Sequence, residues 1–225
     1  MNFLKEFWKR YKTRYVRYAP LDYGLYFEQP IIHGMGLESC YLGKLVMPGG
    51  FVVACDPLLG LHNAQPYTRR VPPGQYPVTM LVAGNNGSKR NALLKMNFSE
   101  ERALQWELAL LPGQALSAAR SKNAWYGFTA DAGIGCLCDG QVQKHFFRYL
   151  ERFFRERPEG DVYTSLFAEA FSRHGGLAAA FHLPSSPASN VVLFHTGYGD
   201  GIYPAYWGLA ENGNVCSLVI DFLVL

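Results

Sequence analysis

After residue 20, the patterns typical of helices are confined to one internal block of this chain, and extended segments separated by tight turns lie on both sides of it. A first helix is predicted to begin at Asp139 and to keep apolar residues on one face as far as Phe153. A second is predicted to begin at Asp161 or Thr164 and to end at Gly175. A doubly wound α/β fold needs strands and helices that alternate regularly. The arrangement therefore predicts an α+β fold with mostly antiparallel, strongly twisted sheets and a helical pair inserted before the last strands.

The extended segments are short and are separated by glycine, proline and asparagine. The pair Asn212-Gly213 predicts a hairpin, and so does Pro48-Gly49-Gly50. Alternation of apolar and polar residues from Leu104 to Leu110 predicts a half-buried strand, although a helix could instead begin near Ser99. Strands are predicted at residues 44–47, 51–54, 76–83, 89–98, 104–110, 125–130, 190–195, 202–207 and 215–224.

The N-terminal segment differs from the rest in charge. Leu4, Phe7, Trp8, Tyr11 and Tyr15 are spaced as on one face of a helix. Six basic residues against one glutamate give residues 1–18 a charge of +5, so the rest of the chain carries −2 of the total +3. We predict an amphipathic helix within residues 1–20 and a single α+β domain over 21–225. The aromatic face favours docking on this domain or a partner, with contact to an anionic membrane surface as the alternative.

The composition of the chain limits the cellular compartments and the classes of partner that can be expected. The chain is 49% hydrophobic and 15% aromatic, which excludes intrinsic disorder. No apolar run approaches the roughly 20 residues that a membrane span needs, and no secretory signal is recognisable. Five widely spaced cysteines favour reduced thiols and a cytoplasmic protein over a disulfide scaffold or a zinc site. The slightly acidic remainder of the chain argues against nucleic-acid binding.

The densest cluster of polar and aromatic residues extends from His195 to Gly208. Glycines at 197, 199 and 201 permit positive φ angles and close approach of another backbone or a ligand. This cluster could be a site for a ligand or peptide, with Asp200 accepting hydrogen bonds. It could also be a tight connection between strands in which Asp200 caps backbone amides.

Three further aspartates stand at informative places. Asp56 precedes a proline at the end of a predicted strand, and Asp131 precedes glycines at the end of another. Asp221 interrupts an apolar run, so its carboxylate must be paired, solvated or in a cleft. Residue types alone would allow Asp56, Asp131 and Asp200, with His195, to form the site of a hydrolase acting with a metal ion or on a polar substrate.

The motifs also occur in a recognisable order: CDPL at 55–58, PPGQYPV at 72–78, GYGDGIY at 197–203, YWG at 206–208 and DF at 221–222. This series, over about residues 43–224, resembles a bacterial family described only as a domain of unknown function. Some members of such families are encoded beside secreted polymorphic or type VI toxins. The resemblance implies an immunity protein that neutralises a cognate toxin, and it supplies no catalytic residues.

We therefore predict a non-catalytic inhibitor that occludes the active site of a toxin and needs no metal or cofactor. The expected contact residues are Tyr198, Asp200, Tyr203, Tyr206 and Trp207. The competing hypothesis is the carboxylate-dependent hydrolase. It requires the side chains of Asp56, Asp131, Asp200 and His195 to converge at the base of a pocket.

Overall fold

A computed structural model describes residues 21–225 except 33, 86, 117–125, 174 and 185. The N-terminal helix predicted within residues 1–20 lies outside this range, and so does its proposed contact with a membrane surface. The strands are β1 (Ile31–Ile32), β2 (Met35–Met47), β3 (Val52–Cys55), β4 (Gly74–Asn85), β5 (Ser88–Asn97), β6 (Gln105–Leu108), β7 (Phe128–Ala130), β8 (Ile134–Asp139), β9 (Ala178–Leu183), β10 (Ser186–His195), β11 (Gly201–Tyr203), β12 (Ala205–Leu209) and β13 (Val215–Asp221). The helices are α1 (Tyr23–Glu28), α2 (Gly140–Glu156) and α3 (Ala168–Ser172), and a π-helical turn (Tyr163–Phe167) precedes α3.

The strands form three curled sheets in which every pairing is antiparallel, as predicted. The largest has the order β1-β2-β4-β5-β13-β12-β6, the second the order β3-β8-β10-β9, and the third pairs β11 with β7. The predicted hairpin between β12 and β13 is confirmed, because Asn212 Oδ1 accepts the backbone N–H of Asn214 at 2.9 Å and Gly213 has φ 79°. This sheet-rich fold has few helices among the described residues.

The hairpin predicted at Pro48-Gly49-Gly50 is wrong. The chain there leaves the seven-stranded sheet at the end of β2 and enters the four-stranded sheet as β3. Residues distant in sequence hold the turn. Asp139 Oδ2 accepts the N–H groups of Gly49 and Phe51, and the carbonyl of Gly50 accepts the N–H of Val71 at 3.0 Å. These contacts are remote in sequence, so local turn chemistry could not predict them.

Other strand predictions also need correction. The segment predicted at 202–207 is divided at Pro204, and its halves, β11 and β12, belong to different sheets. Strand β9 was not predicted, because its run of three alanines has little of the β-branched character by which a strand is recognised. Within the described residues, the strand predicted at 125–130 comprises only Phe128–Ala130.

The helical block lies where it was predicted, but its second helix differs from the prediction. Helix α2 begins where predicted, because the side chain of Asp139 accepts the N–H of Gln141 at 2.7 Å. Phe146, which is fully buried, anchors α2 on the four-stranded sheet, and burial of such a side chain is worth about 1.5–3 kcal/mol. The second predicted helix is a π-helical turn followed by five α-helical residues.

Hydrophobic clusters show how the layers pack. One lies between the two larger sheets and includes Met80 and Leu94 from the first and Val192 and Phe194 from the second. A second lies between the four-stranded sheet and α2, and a third covers the other face of the seven-stranded sheet beneath α1. Buried Asn190 of β10 also joins the sheets, donating to Lys44 O at 2.8 Å and accepting from Val46 N at 2.9 Å.

Candidate functional site

Several of the segments singled out in the sequence meet at one end of the small β7–β11 ladder. Gly201 is paired with Ala130, so Asp200 and Asp131 stand at adjacent positions where this ladder begins. The backbone N–H of Thr196 donates to Gly133 O at 3.0 Å, which ties the loop after β10 to the turn before β8. The fold therefore brings together the backbone segments expected to converge, and the directions of their side chains decide what the region can do.

Asp56 points into the protein and is only 2% exposed. Its Oδ1 accepts the N–H groups of Leu58 and Leu59 at 2.8 and 3.1 Å. Its Oδ2 accepts those of Asp131 and Ala132 at 2.9 and 2.8 Å. Four backbone donors thus occupy both oxygens, and the carboxylate joins two turns.

The imidazole of His195 contacts two aromatic side chains. Its Nε2 lies 3.2 Å from the hydroxyl of Tyr163, and its ring lies 4.7 Å from that of Phe171. Burial lowers the pKa of His195, and a hydrogen bond to the carbonyl of Gly133 acts in the opposite direction. The histidine therefore belongs to the contact between β10 and the π-helical turn.

Asp131 and Asp200 are exposed. In the described ranges, no three histidine, cysteine, aspartate or glutamate side chains are grouped so that they could hold a metal ion. The four side chains of the hydrolase hypothesis therefore have separate environments. The carboxylate of Asp56 accepts hydrogen bonds from backbone amides, Asp131 and Asp200 are in solvent, and His195 lies against an aromatic ring.

The turn at 197–200 is held rigidly. Tyr203 Oη and Thr196 Oγ1 both donate to Gly199 O, at 2.6 and 2.5 Å. Gly199 has φ 89°, and a Cβ at Gly197 would lie 2.7 Å from Phe222 O. The alternating glycines thus supply the positive φ angle and the close approach that were predicted.

Tyr198 projects from this turn and is 45% exposed. The guanidinium carbon of Arg90 lies 4.8 Å from the centroid of its ring, and Arg90 Nη1 donates to Gly197 O at 3.1 Å. The pair forms a partly fixed cation–π contact on the surface, which limits the rotamer entropy that binding would cost.

The five residues expected to contact a partner do not share a surface. Tyr198 and Asp200 are exposed, whereas Tyr203, Tyr206 and Trp207 are at most 2% exposed and pack in the interior. Trp207 and Tyr203 belong to the core between the sheets, and Tyr206 to the cluster beneath α1. The structure therefore leaves Tyr198 and Asp200 as the members whose side chains a partner can reach.

The aspartate in the apolar run, Asp221, is buried and paired. Its Oδ2 accepts the hydroxyl of Tyr23 at 3.0 Å, and its Oδ1 accepts the N–H of Leu223 at 2.7 Å. Burial, together with the negative charge of Asp221, raises the pKa of Tyr23 well above its usual value. Asp221 thus fastens α1 to the end of β13.

Three cysteines lie together between β3 and β8. Cys55 and Cys136 are directly opposite each other across the strands, with their sulfur atoms 3.5 Å apart. Cys138 lies two residues along β8, on the same face as Cys136. Hydrogen bonds from Cys138 and Cys55 lower the pKa of Cys136, while the bond to Cys136 and burial raise the pKa of Cys55. All five cysteines are free thiols.

A groove that was not predicted from the sequence lies between α2 and the loop at residues 61–66. The groove encloses about 770 Å³. Gln143 fixes one wall, since its side-chain amide donates to Leu61 O and Ala64 O at 2.7 and 2.9 Å. Phe51 and Phe147 contribute apolar surface, and Lys144 and Arg148 line it from the exposed side of α2. The basic spacing along α2 was a signal in the sequence that could have indicated this surface.

Comparison with known proteins gives a family without an activity. The family described as "Protein of unknown function (DUF4241)" matches residues 45–220. Searches of the curated proteins and of the solved structures found no match. None of the helices in the described part of the chain is both long enough and apolar enough to cross a membrane. The matched segment covers most of the sequence, so the chain belongs to the DUF4241 family.

Proposed function

We propose that this protein is a non-catalytic inhibitor that binds another protein, and that it is an immunity protein for a toxin encoded beside it. The observation that carries the proposal is the rigid turn that presents Tyr198 next to Arg90. Tyrosine and arginine are enriched among the residues that dominate binding energy at protein interfaces. A side chain already held in place loses less entropy on binding than a mobile one.

The environments of the acidic residues also support binding over hydrolysis. A general base or metal ligand needs a free oxygen that faces the substrate. Both oxygens of Asp56 accept backbone N–H groups, and Asp131 and Asp200 are exposed instead of lying at the base of a pocket. The proposal places the protein in the cytoplasm, in keeping with its free thiols.

Co-expression with the product of the neighbouring gene tests this function. We expect the neighbour to stop growth by itself and the protein to restore it. The Tyr198→Ala variant should weaken the complex by about 2 kcal/mol or more if Tyr198 is a dominant contact. Tyr41→Ala is the matched control, because Tyr41 is 57% exposed and lies elsewhere on the surface.

Three results would contradict the proposal. The neighbour could be harmless alone, it could kill equally with and without this protein, or the two purified proteins could fail to form a complex. The hydrolase hypothesis predicts a different result, in which Asp131→Asn and Asp200→Asn each abolish an activity of the isolated protein.

A further inference from the structure

We propose that the groove beside α2 binds an acidic, partly apolar segment of a protein partner. This inference rests on the proposed function, since both require a protein partner. It concerns a surface separate from the Tyr198 turn and specifies the chemistry of what binds there.

The first observation is a row of cations on the exposed side of α2. Lys144, Arg148 and Arg152 follow one another at intervals of four residues and are all exposed. Residues four apart in a helix are neighbours on its surface, so each successive pair places like charges together and destabilises the helix. The row thus places three cations along one stretch of the surface of α2.

The second observation is that these charges are not neutralised within the protein. Among the described residues, no carboxylate forms an ion pair with Lys144, Arg148 or Arg152; the ion pairs lie elsewhere, as between Arg173 and Glu169. Glu151 is the acidic residue among those that line the groove. The row therefore keeps its positive potential available for a partner of opposite charge.

The third observation is the apolar surface next to the row. Phe51 is 36% exposed, and the ring of Phe147 lies 6.1 Å from that of His62 across the groove. Gln143 holds the loop wall by two hydrogen bonds, so this surface is formed before a partner arrives. A pre-formed apolar floor beside cations suits a segment in which carboxylates alternate with apolar side chains.

Other occupants fit the observations less well. The first 18 residues of the chain carry +5 and would be repelled by the row. A nucleic acid would meet the cations, but residues 19–225 as a whole, with this row included, carry −2. Its phosphates would also make no use of the apolar floor.

The test uses a fluorescein-labelled peptide in which glutamate and leucine are spaced by serine, and fluorescence anisotropy measures its binding to the full chain. A second peptide with glutamine in place of glutamate keeps the apolar residues and removes the charge. We expect the glutamate peptide to bind. Arg148→Glu should weaken its binding about tenfold or more, because it removes the central cation and adds a repulsive charge.

Arg148→Glu also separates binding from folding. The new carboxylate would stand four residues from both Lys144 and Arg152, so two repulsive pairs become attractive, while the one pair with Glu151, three residues further on, becomes repulsive. The thermal midpoint should therefore rise or stay unchanged while binding falls. The matched control is Arg173→Glu, which makes the same change in net charge at a distant surface ion pair and should keep the affinity of the wild type.

Four results would overturn the inference: the glutamate peptide does not bind; it binds no better than the glutamine peptide; Arg173→Glu weakens binding as much as Arg148→Glu does; or a DNA duplex or phosphatidylglycerol vesicles bind more tightly than the peptide and lose this binding in Arg148→Glu. Its failure is distinguishable from failure of the proposed function. If Arg148→Glu neutralises the neighbouring toxin as well as the wild type does, the groove is not the partner site and the proposed function stands. If the wild type itself does not neutralise the toxin, the proposed function fails.

Discussion

The backbone N–H of Asp131 donates to Oδ2 of Asp56 at 2.9 Å, so two aspartates that could have shared a catalytic site are joined through a main-chain hydrogen bond. Asp56 is buried and accepts four such bonds, whereas the side chain of Asp131 is exposed. Asp56 therefore has a structural role, because its carboxylate holds two turns together.

Asp56→Asn should therefore destabilise the protein. An amide retains one acceptor oxygen but directs an NH₂ group towards two backbone N–H groups, and the expected loss is about 2–4 kcal/mol of the free energy of unfolding. Asp131→Asn is the matched control and should change stability by less than about 0.5 kcal/mol. Urea denaturation measures both values, and equal values for the two variants would contradict the role assigned to Asp56.

The hydrogen bond from the hydroxyl of Tyr23 to the buried carboxylate of Asp221 should contribute to stability. Tyr23→Phe removes a donor from a buried carboxylate, which should cost about 1–3 kcal/mol of stability. The raised pKa of Tyr23 adds a pH effect. The unfolded chain releases this proton near pH 10 and the folded chain does not, so stability should fall as the pH rises above about 10.

Urea denaturation measures the stability that Tyr23→Phe loses. Tyr41→Phe is the control, because Tyr41 is largely exposed. A Tyr23→Phe variant as stable as this control would show that another donor satisfies Asp221.

His195 should make stability depend on pH in the acidic range. Burial lowers its pKa in the folded state, so the unfolded chain takes up the proton first as the pH falls. Stability should therefore decrease as the pH falls through about 6.5, the pKa of the unfolded chain, and the decrease should end below the lower pKa of the folded state. His195→Gln should flatten this part of the curve. Urea midpoints between about pH 5 and 8 test the prediction, and parallel curves for wild type and variant would refute it.

Cys55 and Cys136 should form a disulfide when the protein is treated with hydrogen peroxide. Opposed residues of antiparallel strands have Cα atoms about 4.5–5.5 Å apart, which a disulfide can span. The two thiols lose two hydrogens in forming the S–S bond, and peroxide is reduced to two molecules of water. Peptide mass spectrometry should find this link, and Cys55→Ser should remove it while Cys40→Ser does not. A link from Cys136 to Cys138 in the wild type would contradict the expected pairing.

Local patterns predicted much of the secondary structure, because turns and caps depend on neighbouring residues. Asn212-Gly213 gives the β12–β13 hairpin, and Asp139 caps α2 as expected. The glycines at 197 and 199 have the close approach and positive φ angle that their spacing predicted.

The sequence by itself determined that the chain forms antiparallel sheets with a central helical block. The periodicity of apolar residues in strands and helices and the residues of tight turns can be recognised within short segments. Only the tertiary structure decided which sheet each strand joins and which way each chemical group faces. Pro48-Gly49-Gly50 connects two sheets because Asp139, some ninety residues away, binds its amides. Contacts between distant segments likewise bury Tyr206 and Trp207 in the core and leave Tyr198 on the surface. Burial depends on what packs above a strand, and that is set by contacts between residues far apart in the chain.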